Sequence, residues 1–198
     1  MKSDEEESET VFVSDPREDH LTAANRILCY LKSSPSQGIL LPKLGGLNLS
    51  AFCDAYWLGC KLTRRSQTGY VLLLGGAPIS WKTKKQSVVS RSAEDEYRSM
   101  ATTASEVLWM RWILTDLQVT QGQDTSLFCD NLAAKHIANN RVFHERTKHV
   151  EMDCDFVRER VASHDVLLLH IKTKQQIADL FTKPLGVQHL QNLLCKLG

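Results

Sequence analysis

Four carboxylates lie in four separate parts of this 198-residue chain, each at the end of an extended run or the start of a helical one. Asp54 ends the run Leu-Ser-Ala-Phe-Cys-Asp, and Asp130 ends the run Ser-Leu-Phe-Cys-Asp. Glu96 lies in the first turn of a long helical pattern, and Asp179 opens a short amphipathic segment. If these ends converge, they form an oxygen-only anionic pocket. Such a pocket is typical of sites that hold hard divalent cations such as Mg²⁺ against a phosphodiester.

The composition predicts one globular domain behind an acidic tail. Hydrophobic residues make up 42% and charged residues 24% of the chain, which is enough to bury a core. Residues 1–15 are acidic and almost free of large apolar side chains, so we expect a disordered tail. No apolar run reaches the roughly 18 residues that a membrane-spanning helix needs. The acidic N-terminus is unlike a signal peptide, and we expect an intracellular protein that is neither secreted nor membrane-bound.

Basic residues cluster in short strings along the rest of the chain. The first 19 residues contain eight acids and two bases, a net of −6, so the remainder must carry +7 to give the overall +1. A basic surface around an anionic pocket is typical of a protein that binds the phosphate backbone of a polyanion. The alternative interpretation is that these residues are ordinary solvated surface charges. The candidate nucleic-acid-binding residues are Arg64, Arg65, Lys82, Lys84, Lys85, Arg146 and Lys148, together with Asn131 beside the third acid.

The cysteines and tryptophans are expected to serve mainly the core. Six cysteines are scattered without a CxxC pair, and this spacing argues against structural zinc. A disulfide framework is disfavoured in an intracellular chain of this size, so we expect buried, reduced thiols. The four tryptophans are also expected in the core, with Trp81 as the one candidate for a base-stacking platform.

Hydrophobic periodicity predicts the elements that must position the four acids. A helix over residues 19–33 precedes a short extended segment, and Gly45-Gly46 marks the start of the main domain. Three strands follow, and Gly75-Gly76 joins the second and third in a hairpin. A long helix then begins with a capping box formed by Ser92 and Asp95.

The second half of the chain alternates between helices and strands. The fourth strand ends at Asp130 and leads to a helix through 133–138, a polar loop (139–149) and a further helix. A fifth strand and a last helix starting near Gln176 complete the chain. The order βββ-α-β-α-α-β-α predicts an α/β fold. Its mixed five-stranded sheet has strands 1–3 antiparallel and helices on both faces.

Seven local strings carry a resemblance to a known family. They are Asp-Ala-Tyr-Trp-Leu-Gly-Cys (54–60), Thr-Arg-Arg-Ser-Gln-Thr-Gly-Tyr (63–70), Ile-Ser-Trp-Lys-Thr-Lys-Lys-Gln (79–86), Ser-Ala-Glu-Asp-Glu-Tyr-Arg (92–98), Cys-Asp-Asn (129–131), Arg-Thr-Lys-His (146–149) and Ala-Asp-Leu-Phe-Thr-Lys-Pro-Leu (178–185). Over about residues 12–198 the chain resembles the ribonuclease H region of copia-type (Pseudoviridae) retrotransposon Pol polyproteins, those of plants most closely. Residues 16–44 resemble the end of the reverse transcriptase, and 45–198 the ribonuclease H-like domain.

The resemblance implies a metal-dependent endoribonuclease that cleaves the RNA strand of RNA/DNA hybrids. The family's metal-binding acids fall on Asp54, Glu96, Asp130 and Asp179, which would hold two Mg²⁺ ions, with Mn²⁺ as a substitute. Glu94 is the rival for the second acid. We prefer Glu96, because Glu-Tyr-Arg-Ser-Met matches the retroviral string Glu-Leu-x-Ala-Leu. The implied partners are the hybrid and the reverse transcriptase portion of the same polyprotein, in a cytoplasmic virus-like particle or in the nucleus.

Some features leave the function open. The family's usual Ser-Ser-Ala-Glu-Ala-Glu-Tyr is one serine shorter here, which predicts a shortened loop before Glu96. His149 is either a counterpart of the mobile histidine that assists product release in cellular relatives or an ordinary surface histidine. One alternative function is therefore a decayed or domesticated domain that binds nucleic acid or protein without catalysis. Another is an integrase or transposase nuclease, against which the four-acid pattern counts.

Overall fold

Five strands form a mixed sheet within Ile39–Gly198, one of the two compact units of the chain. In chain order they are β1 (Leu49–Tyr56), β2 (Gln67–Leu74), β3 (Ala77–Lys85), β4 (Thr125–Cys129) and β5 (Val166–His170). Their order across the sheet is β3-β2-β1-β4-β5. The first three strands are antiparallel neighbours, whereas β4 runs parallel to both β1 and β5. The predicted α/β fold with a mixed five-stranded sheet is therefore confirmed.

The computed structural model describes residues 15–33, 35, 38–43, 46–60, 63–122, 124–132 and 148–197, the side chains of 148–150 excepted. Its helices are α1 (Glu18–Ser33) in the unit Met1–Gly38, and α2 (Ser92–Asp116), α3 (Lys148–Ala162) and α4 (Val187–Leu194) in the unit with the sheet. Two short 3₁₀ turns, Thr173–Gln175 and Ile177–Phe181, precede α4. Within these described ranges, no helix is long and apolar enough to cross a membrane. Residues 1–14 of the predicted tail (1–15) and the predicted helix through 133–138 lie outside these ranges.

Helices α2 and α3 cover one face of the sheet. Tyr97, Met100 and Val107 recur at helical spacing along α2 and are fully buried. They pack in one cluster with Leu72 of β2 and Leu127 of β4. The long helix is thereby fixed across the central strands, and its first turn lies at the end of the sheet where β1 and β4 finish.

The opposite face is covered by the 3₁₀ turn Ile177–Phe181. Phe52 of β1 and Val71 of β2 form a second buried cluster with Ile177 and Ala178 of this turn. The ring of Phe52 also stacks on that of Phe128, with centroids 4.7 Å apart. Because both faces are covered, β1 is buried at nearly every position, as is usual for the central strand of such a sheet.

Two predictions of local structure differ from what the structure shows. The helix predicted to start near Gln176 begins there, but it is the short 3₁₀ segment Ile177–Phe181 with Gln176 as its N-cap, and the α-helix α4 begins only at Val187. Only Gln176 itself has an extended backbone. Its side chain accepts the N–H of Ala178 and donates to the carbonyl oxygen of Cys53 at 2.9 Å, so the 3₁₀ segment is held against the sheet. The capping box is shifted by one residue, because Arg91 is the N-cap and its N–H donates to the Glu94 carboxylate at 3.3 Å. Asp95 is instead buried, where it accepts a hydrogen bond from the Ser66 hydroxyl.

The tryptophans are not in the core. All four side chains are at least half exposed, because they lie on the β3 edge of the sheet, in the loop after β1 and on the outer side of α2. They are Trp57, Trp81, Trp109 and Trp112. The exposure of Trp81 leaves it available as the stacking platform that the sequence allowed.

Gly69 allows the turn Ile177–Phe181 to approach the sheet, because it has no side chain. We predict that Gly69→Ala lowers the free energy of unfolding by about 1–3 kcal/mol through overpacking. Gly69 pairs with Asp54 across β1 and β2. A Cβ at this position would lie 2.5 Å from Thr182 Cγ2 and 2.9 Å from Phe181 Cβ. Urea unfolding measures the effect. Gly122→Ala is the control, since nothing lies within 4 Å of its added Cβ. Equal stability of the two variants would contradict the close approach.

Candidate metal centre

Asp54, near the end of β1, is held from both faces of the sheet. Its carboxylate is 1% exposed. From the α2 side, Ser99 Oγ donates to the Asp54 carbonyl oxygen at 2.8 Å. From the opposite side, the Thr182 hydroxyl donates to Asp54 Oδ2, and Lys183 Nζ lies 3.1 Å from Oδ1. The backbone and the carboxylate of the first predicted acid are therefore both fixed in position.

Asp179 is joined to Asp54 by a single ammonium group. Asp179 lies in the turn Ile177–Phe181 and is also almost completely buried. Lys183 Nζ is 2.6 Å from Asp179 Oδ1, so the same cation contacts both carboxylates. His189 Nε2 lies 3.8 Å from the other oxygen, Asp179 Oδ2. Two acids that are 125 residues apart in number thus share one counter-charge across the end of β1.

Glu96 and Asp130 form the other half of the site. Glu96 in the first part of α2 is buried, and its Oε2 lies 3.7 Å from Cys129 Sγ. One ligand atom each of Glu96, Cys129 and Asp130 lie within 4.8 Å of one another. Asp130 directly follows β4, is half-buried, and accepts a hydrogen bond from Thr173 Oγ1 at 3.0 Å. The short loop between β3 and α2 therefore still brings Glu96 beside Asp130.

The rival Glu94 has a different environment. Its carboxylate accepts the backbone N–H of Arg91 and so caps the start of α2. Glu96, two residues later, faces the end of the sheet, where burial first and then the proximity of Cys129, Asp54 and Asp130 raise the pKa of its carboxyl. The structure thus groups Glu96, and not Glu94, with the other three acids.

The electrostatics of the site follow from its burial. Burial is the main cause that raises the pKa of Asp54, and it outweighs the opposing attraction of Lys183. Burial likewise raises the pKa of Glu96 well above its usual value. For Lys183, burial alone would lower the pKa, but the carboxylates of Asp54 and Asp179 outweigh it and the net pKa is raised. Both halves of the site therefore favour an added positive charge.

The donor set fits hard divalent cations. Carboxylate oxygens are the ligands that Mg²⁺ prefers, and four carboxylates converge here from β1, α2, β4 and the turn Ile177–Phe181. Lys183 neutralises part of this charge at Asp54 and Asp179. At Glu96 no cationic side chain of the described residues forms an ion pair. The residues present could therefore hold two such ions, with Asp54 common to both halves.

The predicted nucleic-acid-binding residues are distributed around this centre. Lys82, Lys84 and Lys85 lie along the edge strand β3, and Arg64 and Arg65 lie in the loop between β1 and β2. Asn131 follows Asp130, and its backbone N–H contacts Cys129 Sγ at 3.4 Å. Arg146 lies outside the described residues. For Lys148 and His149 only the backbone, in the first turn of α3, is described.

Three further residues contact the site and were not predicted from the sequence. They are Gln176, Thr182 and Lys183. Gln176 is fully buried and links the turn to β1 at Cys53, next to Asp54. One signal was available, because Lys183 follows Asp179 by four residues, a spacing at which opposite charges meet on one turn of helix. No sequence pattern indicated that the same lysine also contacts Asp54.

The chain is similar in sequence to retrovirus-related Pol polyproteins. It is 43% identical over 188 residues to the Pol polyprotein of transposon RE1 from Arabidopsis thaliana. The matched region covers 94% of this chain and 13% of that polyprotein. The polyprotein of transposon RE2 from the same plant is 42% identical over 184 residues, and that of transposon TNT 1-94 from Nicotiana tabacum 31% over 175. The chain spans about 13% of the length of each of these relatives. No protein-family model matches the sequence.

Solved structures show which fold the chain has. Ribonuclease H1 from the halophilic archaeon Halobacterium salinarum NRC-1 superposes with a TM-score of 0.50 at 14% identity, over 68% of this chain and 94% of that one. LC11-RNase H1, isolated from compost by a metagenomic approach, superposes with a TM-score of 0.51 at 12% identity, over 69% and 93%. The predicted ribonuclease H-like fold is confirmed.

Lys183→Met leaves Asp54 and Asp179 buried without their counter-charge. We predict that, without divalent metal, the free energy of unfolding falls by about 2–4 kcal/mol, slightly less than removal of one partner of a fully buried ion pair, because the Lys183 side chain is 26% exposed. Mg²⁺ should restore more stability to this variant than to the native chain, because no ammonium competes for the carboxylates. Thermal unfolding with and without Mg²⁺ measures both effects. Lys196→Met, at an exposed position whose ammonium contacts only a backbone carbonyl among the described atoms, is the control. An equal Mg²⁺ effect in both variants would contradict the competition.

Proposed function

Because the chain belongs to the Pol polyproteins of copia-type retrotransposons and has the ribonuclease H fold, we propose that it cleaves the RNA strand of RNA/DNA hybrids by metal-dependent hydrolysis. The observation that carries this proposal is the convergence of Asp54, Glu96, Asp130 and Asp179 at one end of the sheet. A buried anionic centre of this kind has no evident role in stabilising the fold, since it concentrates like charges. It suits a reaction in which the charge of a phosphodiester must be offset.

Four carboxylates of the site would bind the metal ions, and neighbouring side chains hold those carboxylates in position. Asp54, Glu96 and Asp130 would hold one Mg²⁺ and Asp54 with Asp179 the other; Mn²⁺ would be accepted in their place. When bound, such a pair of ions activates water and stabilises the leaving oxygen of an in-line displacement. Ser99 and Thr182 keep Asp54 in place, and Thr173 orients Asp130 by donating to its Oδ2. Lys183 would release the two carboxylates that it now contacts as metal enters.

Basic residues beside the centre support a nucleic-acid substrate. Lys84 and Lys85 of β3 line an open cavity of about 230 Å³ with Arg98 of α2. Arg98 is oriented by the Ser90 hydroxyl at 2.8 Å and by Asp153 at 3.7 Å. The exposed Trp81 lies on the same strand. We propose that these groups contact the sugar-phosphate backbones of the hybrid, which position the substrate without reading its sequence.

The wider context is inferred from the relatives. The matched polyproteins are much longer than this chain, and residues 16–44 correspond by resemblance to the end of a reverse transcriptase. We therefore propose that the reverse transcriptase portion of the same polyprotein is the natural partner, and that the domain acts inside the cell during reverse transcription.

The first test is cleavage of a hybrid labelled on each strand, with Mg²⁺ or Mn²⁺. We predict cutting of the RNA strand only. Asp54→Asn and Asp130→Asn should each lower the rate about 10³-fold, equivalent to about 4 kcal/mol of activation free energy. Asp116→Asn, an exposed acid at the end of α2, is the matched control and should retain the native rate.

Each other outcome has a defined meaning. Cleavage that survives both substitutions would reject the proposed metal centre. A folded native chain that binds hybrid but does not cut it would favour the binding-module alternative. Joining of DNA ends in place of RNA cleavage would favour the integrase or transposase alternative.

Substitution of Lys84 and Lys85 by Gln tests the basic surface. We predict weaker hybrid binding at low salt. The slope of log K against log salt should become shallower by about 0.7–0.9 for each phosphate that the variant no longer neutralises. Fluorescence anisotropy at several salt concentrations measures both the affinity and the slope. Lys196→Gln makes the same kind of charge change outside this cavity, and an identical weakening in that variant would show that only net charge matters.

A further inference from the structure

Cys129 lies inside the proposed metal centre and has no part in the proposed hydrolysis. We propose that Cys129, Glu96 and Asp130 form a binding site for a thiophilic divalent cation such as Zn²⁺, which competes there with Mg²⁺. The binding itself is independent of the proposed nuclease activity; only its inhibitory consequence rests on that activity. The site is composed of one sulfur and two carboxylate ligands from β4, α2 and the residue after β4.

The spacing of the ligand atoms suits tetrahedral coordination. With a Zn–S distance of about 2.3 Å and a Zn–O distance of about 2.0–2.1 Å, a tetrahedral ion places its sulfur and oxygen ligands about 3.6 Å apart. Cys129 Sγ and Glu96 Oε2 are 3.7 Å apart. The Asp130 ligand atom lies within 4.8 Å of both, so a small contraction completes three ligands. Three protein ligands and one open position for water are a common zinc arrangement.

Glu96 gives an independent reason to expect a cation at this position. Its carboxylate is 6% exposed, yet its only hydrogen-bond contact among the described residues is the weakly polar thiol of Cys129. Lys183 forms its ion pairs with Asp54 and Asp179 and not with Glu96, and its more distant attraction is outweighed by the burial that raises the pKa of Glu96. A buried carboxylate without a cation or a strong donor is costly, and a metal ion would supply what the protein does not.

Ligand chemistry decides which metal binds more tightly. Oxygen ligands suit Mg²⁺, whereas a thiolate selects softer cations such as Zn²⁺. On binding, the S–H bond of Cys129 breaks, its electron pair forms the bond to the metal, and the proton passes to solvent. No oxidant is required. Cys53 follows Phe52, the partner of Phe128 across β1 and β4, and its thiol donates to the Phe128 carbonyl oxygen at 3.6 Å, so a second sulfur lies on the strand next to the site.

The consequence is that this site would prefer Zn²⁺ to Mg²⁺, which experiments with Mg²⁺ alone do not reveal. An ion held by Cys129 would occupy Glu96 and Asp130 together, two of the three acids proposed for one Mg²⁺. Zn²⁺ should therefore inhibit hybrid cleavage at concentrations far below those of Mg²⁺, and excess Mg²⁺ should displace it only slowly or in part.

Titration of the full chain with Cd²⁺ tests the binding directly, because a cadmium–thiolate bond gives an ultraviolet charge-transfer absorption. The exposed Cys29 and Cys195 and the partly exposed Cys60 are first replaced by Ser, so that accessible thiols outside the site do not contribute. Cys129→Ser is then compared with Cys154→Ser, a matched control at an equally buried position in α3. We expect saturation near one equivalent in the parent and in Cys154→Ser, and loss of the absorption in Cys129→Ser. An unchanged absorption in Cys129→Ser would overturn the proposal.

A second variant keeps the test decisive if Cys129→Ser does not fold. Asp130→Asn retains the sulfur, so the absorption should remain while the Cd²⁺ affinity falls about tenfold or more, as expected for loss of a charged ligand. An affinity equal to that of the parent would show that Asp130 is no ligand and would overturn the site. Where hybrid cleavage is observed, Cys129→Ser should also need about tenfold more Zn²⁺ for half-inhibition than Cys154→Ser. Absence of cleavage would count against the proposed function and leave the Cd²⁺ result unaffected.

Discussion

Mutual repulsion among buried carboxylates is the constraint on which this structure depends. Charged groups that are removed from water are unstable unless opposite charge or hydrogen bonds replace their hydration. The protein supplies these unequally. Asp54 and Asp179 share the ammonium of Lys183, whereas the only hydrogen-bond donor to the Glu96 carboxylate among the described residues is the Cys129 thiol. The negative charge is thus partly neutralised at Asp54 and Asp179 but not at Glu96. This asymmetry explains both the fit of the site to metal ions and the inferred role of Cys129.

The sheet holds these groups together because of its strand order. β1 and β4 are parallel neighbours, so their carboxyl ends, and with them Asp54 and Asp130, finish at the same edge. α2 crosses this edge with Glu96 in its first turns, and Ser99 attaches the helix to the backbone of Asp54. The turn Ile177–Phe181 closes the site from the other face, which is possible because Gly69 has no side chain to obstruct it. The core on each face therefore positions the site as well as stabilising the fold.

Most of the fold and the identity of the four acids could be predicted from the sequence. Strands and helices leave a periodic pattern of apolar residues, and the glycine pair at 75–76 has the positive φ angles that its hairpin requires. The acids could be predicted because each lies at the end of such an element. Errors occurred where local signals were ambiguous. Serine is a preferred N-cap residue, so Ser92 and Asp95 suggested a capping box, whereas the helix begins one residue earlier with Arg91 and Glu94. A tryptophan on the outer side of a helix has the same hydrophobicity as one in the core, so its exposure could not be predicted.

By itself, the sequence determined the succession of strands, the α/β class and the set of acids, because these follow from periodicity and local strings. Only the tertiary structure decided which groups meet in the site. Lys183 contacts Asp54 across 129 residues of chain, and Cys129 meets Glu96 across 33. It also decided that the helical segment after Gln176 is a short 3₁₀ one held against the sheet, since the Gln176 side chain hydrogen-bonds to β1. Contacts of this kind depend on the packing of distant elements, which leaves no periodic trace in the order of residues.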